Sequence, residues 1–498
     1  AFLHNNFCFF QATTLGVNLK LAKGGQIYWY MQIMIGVKDP ETYLSAFVKQ
    51  FMSEGRKDSV LKVNYKDGEK GKYEIYIDFN QILKGLGEGK YQKFANKLND
   101  FISQYIPSTT RKIITLNDNG SIALGELIRN KIASSYRDDM LPEVISQDGI
   151  GDLKEDLEGS IVVVGSCISN GKNLLYISRA LRKFQKLRIL YFVGITRTKN
   201  NKYLNQLKSN LKQGSYGGDT NSFHEIQKIF CENASIETSW LKEINFLSKF
   251  INFLNDKASP PKLALAYLIE RKEMLQKSVG DDVKGLSLQL FYPRLVGGKI
   301  EELEIRKNFA FFDFDDYTKH VTQSDIYFTI SNILNSLRNN DITAPNSDKP
   351  EKSLAQSPFV RNLLDPGNFD RFNDGIIQAS ILRAARPEEL AYHVDQDLSL
   401  EMYGTFETLI KYHVQEQGEG LIEFLYALAT GKISLVLSHL TSIIKLVRDV
   451  CKEELLLCFA DIIEYKIILE PKEKQDAWEN KLRENKKKEE IEPHVEVN

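Results

Sequence analysis

The stretch Ile161 to Arg182, IVVVGSCISNGKNLLYISRALR, constrains the fold more than any other part of the chain. Four consecutive apolar residues, Ile161 to Val164, read as a strand buried on both faces. A polar loop containing Gly171 follows, and Asn173 to Lys186 has the spacing of an amphipathic helix. A strand that turns directly into a helix aims backbone N–H groups, and the positive end of a helix dipole, at one point. That arrangement suits an anion. Gly171 allows the backbone to approach a phosphate closely. Ser169, Asn170 and Asn173 add hydrogen-bonding groups, and Lys172 adds a positive charge.

Neighbouring segments repeat the pattern. Lys112 to Leu116 reads as a strand, Asn117-Asp118-Asn119-Gly120-Ser121 as a loop, Ile122 to Ala133 as a helix, and Arg188 to Ile195 as the next strand. Strands alternating with helices predict an α/β fold with a parallel sheet covered on both faces. Residues 1–106 form a β-rich N-terminal part. It holds Ile27 to Ile35 (a buried strand or a short helix), a hairpin of Val60 to Tyr65 with Tyr73 to Phe79, and a helix from Tyr91 to Ile106 that stops at Pro107. Residues 107–345 form the core with a mixed extension. There, Pro260-Pro261 opens a helix through Met274, Leu286 to Tyr292 and Leu303 to Phe314 read as strands, and Ser324 to Leu337 reads as a helix. Residues 346–370 are polar and Pro-containing and read as a linker. Residues 371–470 read as a helical domain with helices at Ile376 to Arg386, Glu401 to His413, Leu421 to Leu440 and Glu453 to Leu469. Residues 471–498 read as a charged tail.

Lys+Arg number 65 and Asp+Glu 66, so net charge gives no indication of a nucleic-acid scaffold. Five cysteines in 498 residues cannot make a disulfide framework and read as reduced thiols of a cytoplasmic protein. No uncharged apolar run reaches the roughly 18–20 residues of a membrane span, so no membrane partner is expected. The chain opens Ala1-Phe2-Leu3-His4 without a Met, which leaves room for a segment upstream.

The loop at 165–173 departs from the P-loop pattern G-x-x-x-x-G-K-[ST]. Gly165 and Gly171 are one residue too far apart, and Asn173 replaces the metal-binding hydroxyl. It resembles instead the phosphoribosyl-pyrophosphate loop of type I phosphoribosyltransferases. Ile161 to Val164 match that family's strand, and Cys167 to Asn173 match its loop in length and in the glycine, with Asn170 and Asn173 where Thr is usual. The resemblance implies a 5′-phosphate site at Ser166, Cys167, Ile168, Ser169, Asn170, Gly171, Lys172 and Asn173. It also implies a pyrophosphate loop at Asn117, Asp118, Asn119, Gly120 and Ser121, with Mg²⁺ as cofactor. The family's acidic pair, which holds the ribose, falls here at Gly165 and Ser166. Without those carboxylates the resemblance implies ligand binding more than turnover. The segments GSCISNGKNLLYISRALR (165–182), QSDIYFTISNILNSLR (323–338) and FNDGIIQASILRAARPEEL (372–390) are also similar to divergent phosphoribosyltransferase-like proteins of bacterial anti-phage systems. That implies other proteins of a defence locus as partners. Two readings stay open. One is a phosphoribosyltransferase-like component binding a phosphorylated ribose ligand such as phosphoribosyl pyrophosphate. The other is a non-catalytic nucleotide-sensing or partner-docking module.

Other groupings read as structural. Asp313, Asp315 and Asp316 end an apolar run and could hold a divalent ion, though a charged strand end is the simpler reading. His393, Asp395 and Asp397 alternate, and His224 precedes Glu225. Neither His-x-x-x-His nor Cys-x-x-Cys spacing occurs, so no metal site is expected. Cys451 and Cys458, seven apart, are expected on one face of one helix as core residues. Cys167 could be activated at a helix base but reads as structural. Arg179, Arg182, Lys183, Lys186 and Arg188 make the segment after the loop basic; 179, 182, 183 and 186 are expected on one helical face, either solvated or in contact with an acidic partner or nucleic acid, and Tyr28, Trp29 and Tyr30 are expected as core aromatics.

Overall fold

The computed structural model describes residues 60–66, 72–89, 91–154, 156–213, 220–230, 238–277, 286, 289–296, 299–304, 322–339, 359–370 and 374–466. Ile27 to Ile35, Asp313 to Asp316, residues 471–498 and most of 346–370 lie outside the described residues. No helix among the described residues is long and apolar enough to cross a membrane.

A hairpin of β1 (Leu61–Lys66) and β2 (Lys72–Ile77) leads into α1 (Phe79–Gly87) and α2 (Gln92–Tyr105). Then come β3 (Thr110–Thr115), α3 (Asn119–Ile132), β4 (Glu143–Ser146), β5 (Gly159–Ile168), α4 (Lys172–Leu181), β6 (Leu187–Thr198), α5 (Asn201–Lys212) and β7 (Ser222–Phe230). Strands β3 to β7 form one parallel sheet in the order β4-β3-β5-β6-β7. Counted along the chain this is 2-1-3-4-5, a doubly wound order whose direction reverses between β3 and β5. In such sheets a ligand crevice opens beyond the carboxyl ends of the two strands at the reversal.

Side chains alternate across the sheet. Val162 and Val164 enter the core beneath α2 and α3, while Ile161 and Val163 enter a second core with Leu174, Ile177 and Leu181 of α4 and Leu207 and Leu211 of α5. Burial on both faces is why the strand reads as an unbroken apolar run.

Strand β5 does not stop at Val164. It continues to Ile168 because its backbone stays paired with β6, from Gly165 opposite Val193 to Ile168 opposite Thr196. Helix α4 stops at Leu181, short of Lys186, where the chain turns to bury Phe184 and Leu187 in the second core before β6.

The larger core runs on from the sheet into α6 (Ser239–Asn255), α7 (Lys262–Lys277), α8 (Gln323–Asn339), α9 (Gly375–Ala384), α10 (Gln396–Lys411), α11 (Leu421–Ala429), α12 (Leu437–Val450) and α13 (Glu454–Glu464). The helix expected over Leu421 to Leu440 is two helices, separated where Gly431 takes φ +72°. Cys451 and Cys458 do not share a helix. Cys451 has extended backbone at the end of α12, and Cys458 lies in α13.

The strand expected at Leu286 to Tyr292 is not formed among its described residues. Leu286 makes an isolated bridge to Val63, and Gln289 to Tyr292 is irregular. Leu290, Phe291 and Tyr292 are nevertheless fully buried, so side chains must satisfy their backbone. Arg271 donates to the carbonyls of Gln289 (3.1 Å), Leu290 (2.8 Å) and Phe291 (3.2 Å). Gln323 Oε1 accepts from the N–H groups of Leu290 (2.9 Å) and Phe291 (3.2 Å), and Glu423 Oε1 accepts from that of Tyr292 (2.9 Å). The same groups join a buried ionic chain. Arg271 Nε donates to Glu243 Oε1 at 2.9 Å, Arg383 Nη2 lies 2.7 Å from Glu243 Oε2, and Arg383 Nε donates to Glu423 Oε2 at 2.8 Å. Burial alone would raise the Glu243 carboxyl, but the two guanidiniums outweigh it and hold it below the usual carboxylate range.

Two outcomes are expected. Arg383→Ala takes the guanidinium from buried Glu423 and leaves Glu243 with Arg271 alone, and should lower unfolding free energy by about 3–5 kcal/mol in urea titrations; a loss under about 1 kcal/mol would show the chain of charges to be dispensable. Asp325, in the first turn of α8, is buried, which raises its carboxyl to about 6 against the opposing hydrogen bonds from the Thr322 backbone and hydroxyl. Between pH 4 and 6 the folded chain therefore keeps a proton that the unfolded chain has released, so stability falls as pH rises through that window. Relative to the parent, Asp325→Asn should gain about 2–3 kcal/mol between pH 4 and pH 7; a pH-independent difference would contradict this.

Candidate functional site

At the β3–β5 reversal the loop after β3 meets the carboxyl end of β5. After β3, Asp118 caps α3: its Oδ1 accepts from Ser121 N–H at 2.8 Å and its Oδ2 accepts from Ser121 Oγ at 2.5 Å. Ser166 of β5 closes the group. Its hydroxyl donates to Asp118 Oδ1 at 2.7 Å, and its N–H donates to Ser121 Oγ at 2.8 Å. The two segments that the sequence marks as site loops are thus tied to each other. Gly165, beside Ser166, faces the opposite core, where an added Cβ would lie 3.1 Å from Ile168 and 3.3 Å from Leu116.

The N-terminal segment covers this edge. Phe79, 2% exposed, stands against two glycines. A Cβ at Gly120 would lie 3.0 Å from Phe79 Cβ, and one at Gly194 would lie 2.5 Å from the Phe79 ring and 2.6 Å from the Ser166 carbonyl oxygen. Small residues let the ring approach the strand ends. Arg197, at the carboxyl end of β6, is buried and donates to the Ile75 carbonyl of β2, which ties the hairpin to the same edge.

The remaining part of the expected phosphate site runs from half-buried Ser169 and Asn170 through buried Gly171 to the surface at Lys172. Ser166, Cys167 and Ile168 belong to β5, so the loop proper is Ser169-Asn170-Gly171. Gly171 takes φ +63°, and a Cβ there would meet Leu207 at 2.5 Å, which makes glycine the fitting residue. Tyr203 Oη donates to the Asn170 carbonyl at 3.0 Å, and Asn170 Oδ1 accepts from Lys172 N–H at 3.1 Å. Lys172 and Asn173 are exposed at the start of α4. Asn117 turns away and donates to Asp148 Oδ2 at 2.6 Å. Asn119 is exposed, and Gly120 lies beneath Phe79.

The residues at this crevice do not fit Mg²⁺. Magnesium favours carboxylate and water oxygens in near-octahedral order. Positions 165 and 166 offer a glycine and a buried hydroxyl, and both oxygens of Asp118 already accept hydrogen bonds.

Groupings elsewhere separate into structural roles. His224 stacks on Tyr105 with ring centroids 3.9 Å apart, and burial lowers its pKa. His393 Nδ1 meets Ser434 Oγ at 2.7 Å, and Asp395 caps α10. Of the expected basic face only Arg179 lies in α4. It is exposed, as are Arg182, Lys183, Lys186 and Arg188. Phe79 and Gly194 carried no signal in the sequence, whereas Asp118 with Ser121 three residues on is a readable helix cap.

The fold defines a doubly wound α/β protein whose N-terminal segment covers the carboxyl edge of the sheet at its switch point. No family model and no curated protein matches the chain. Among solved structures, the UMP synthase of Leishmania donovani is similar at 13% identity over 37% of this chain, with a TM-score of 0.24. The matched part is 37% of that enzyme's chain, and a score so low carries no argument about fold or activity.

Gly194→Ala should lower stability by about 1–3 kcal/mol, because the new methyl group meets a ring and a backbone oxygen. Phe79→Ala should cost about 3–5 kcal/mol through the cavity it leaves. Denaturant unfolding measures both, and an Ala at 194 within about 0.5 kcal/mol of the parent would mean that the ring does not press on β6.

Proposed function

We propose that this chain is a phosphoribosyltransferase-like module that binds the phosphate of a phosphorylated ribose or nucleotide at Ser169–Asn173 and does not transfer the ribosyl group. The observation that carries the non-catalytic half is the closed edge. Ser166 donates to Asp118, and Phe79 occupies the space above Gly120 and Gly194. A ribose held as the family holds it would need that space and the two carboxylates that positions 165 and 166 lack. The binding half rests on the glycine turn into α4, with Lys172 and Asn173 exposed beside the first N–H groups of the helix. Action beside other proteins of a bacterial defence locus, in the cytoplasm, belongs to the same reading, as does binding without a protein-held Mg²⁺.

Thermal unfolding with phosphoribosyl pyrophosphate, with and without Mg²⁺, tests it. A ligand at ~100 times its dissociation constant stabilises by about 2.7 kcal/mol. The expected result is a shift in the parent that Lys172→Ala loses, with no pyrophosphate released. The absence of a shift at millimolar ligand overturns the binding half, and pyrophosphate release overturns the non-catalytic half.

A further inference from the structure

Outside the crevice, three side chains with metal-ligating chemistry meet where α10, α12 and α13 converge. His413 follows the end of α10, Cys451 ends α12, and Glu453 precedes α13. Their ligand atoms all lie within 4.8 Å of one another. His413 Nε2 is 3.1 Å from Glu453 Oε2, and the two side chains are 10% and 12% exposed. Cys451 is 4% exposed.

The imidazole is oriented as a ligand would be. Its Nδ1 lies 2.8 Å from the Ile410 carbonyl, which can only accept, so Nδ1 carries the proton. In the neutral ring, Nε2 then presents its lone pair toward Glu453 and Cys451. A backbone carbonyl on the far nitrogen is the usual support of a metal-bound histidine. The backbone is held as well. Gly418 packs so closely that a Cβ there would lie 2.4 Å from His413 Cα and 2.5 Å from His413 N.

We propose that His413, Cys451 and Glu453 bind one Zn²⁺, or a cation of similar size and softness, with a fourth position open to water. Nitrogen, thiolate and carboxylate are all zinc ligands, and three protein ligands with one open position is a familiar zinc arrangement. In a tetrahedral site, zinc bond lengths of about 2.0–2.3 Å place ligand atoms about 3.3–3.6 Å apart. The N···O pair, at 3.1 Å, needs to open by about 0.2 Å, and the sulfur, within 4.8 Å of both, needs to close by about 1.3 Å at most. The alternative is an imidazolium–carboxylate ion pair beside an inert thiol. Without metal, burial first and then the Glu453 charge push the thiol up to about 12, so Cys451 is no nucleophile there.

Zinc titration of the full chelator-stripped chain against a chromophoric competitor decides between them. One equivalent is expected in the parent chain. Cys451→Ser, His413→Gln and Glu453→Gln should each weaken binding by about 100-fold or more. Co²⁺ loading should give a thiolate charge-transfer band that Cys451→Ser abolishes. Far-UV circular dichroism establishes that each variant is folded. Where one is not, the stoichiometry and cobalt spectrum of the parent stand as the test. A parent chain that takes up no stoichiometric metal, or folded variants that bind zinc as the parent does, would overturn the site.

Discussion

The buried chain of charges Glu243–Arg271 and Glu243–Arg383–Glu423 holds a stretch of backbone that has no secondary structure of its own. Gln289 to Tyr292 crosses the core as an irregular segment, and its carbonyls and N–H groups find partners in Arg271, Gln323 and Glu423. Each ion would be expensive to bury alone. Together they neutralise one another, and hydrogen bonds take up most of their remaining capacity. Aromatic faces complete the enclosure: the Arg383 guanidinium lies 4.3 Å from the Tyr426 ring centre, and that of Arg271 lies 4.8 Å from that of Tyr292. Since α6, α7, α9 and α11 each supply one charged residue, the network fixes these helices against one another.

From that centre, packing reaches the sheet. Tyr327 of α8 stands edge-on to Trp240 at 5.1 Å and donates to Glu74 Oε1 at 2.9 Å, so the helices carrying the network also hold the hairpin. The hairpin in turn receives Arg197 and positions α1, whose Phe79 closes the carboxyl edge of the sheet. Closure of the crevice is thus a consequence of how the helical part packs, carried through β2 to the strand ends. The phosphate-like turn at Ser169–Gly171 escapes that closure because it lies on the other side of the sheet, against α5 and Tyr203.

Local signals made some elements legible. Unbroken apolar runs gave the central strands, since burial on both faces demands them, whereas α3 begins at Asn119, three residues before the apolar spacing placed it at Ile122, because Asp118 caps it. The same rules misjudged ends and partners. Val164 was no strand end, because pairing with β6 is a property of two strands and has no trace in one. The apolar run at Leu286 to Tyr292 looks like a strand, yet distant arginine and glutamate side chains satisfy its backbone. Cys451 appeared to share a helix with Cys458, but the break between α12 and α13 brought it beside His413 instead.

By itself, the sequence determined the α/β class, the buried strand at Ile161 to Val164 and the glycine turn that opens α4. These follow from hydrophobic period and backbone freedom, which act over a few residues. Tertiary structure alone decided that Ser166 meets Asp118, that Phe79 lies over Gly194, and that His413, Cys451 and Glu453 converge. Apart from the neighbours Cys451 and Glu453, each of these joins residues tens to more than a hundred positions apart. The physical reason is that side-chain chemistry states what a residue can bind, while only packing decides which partner it reaches.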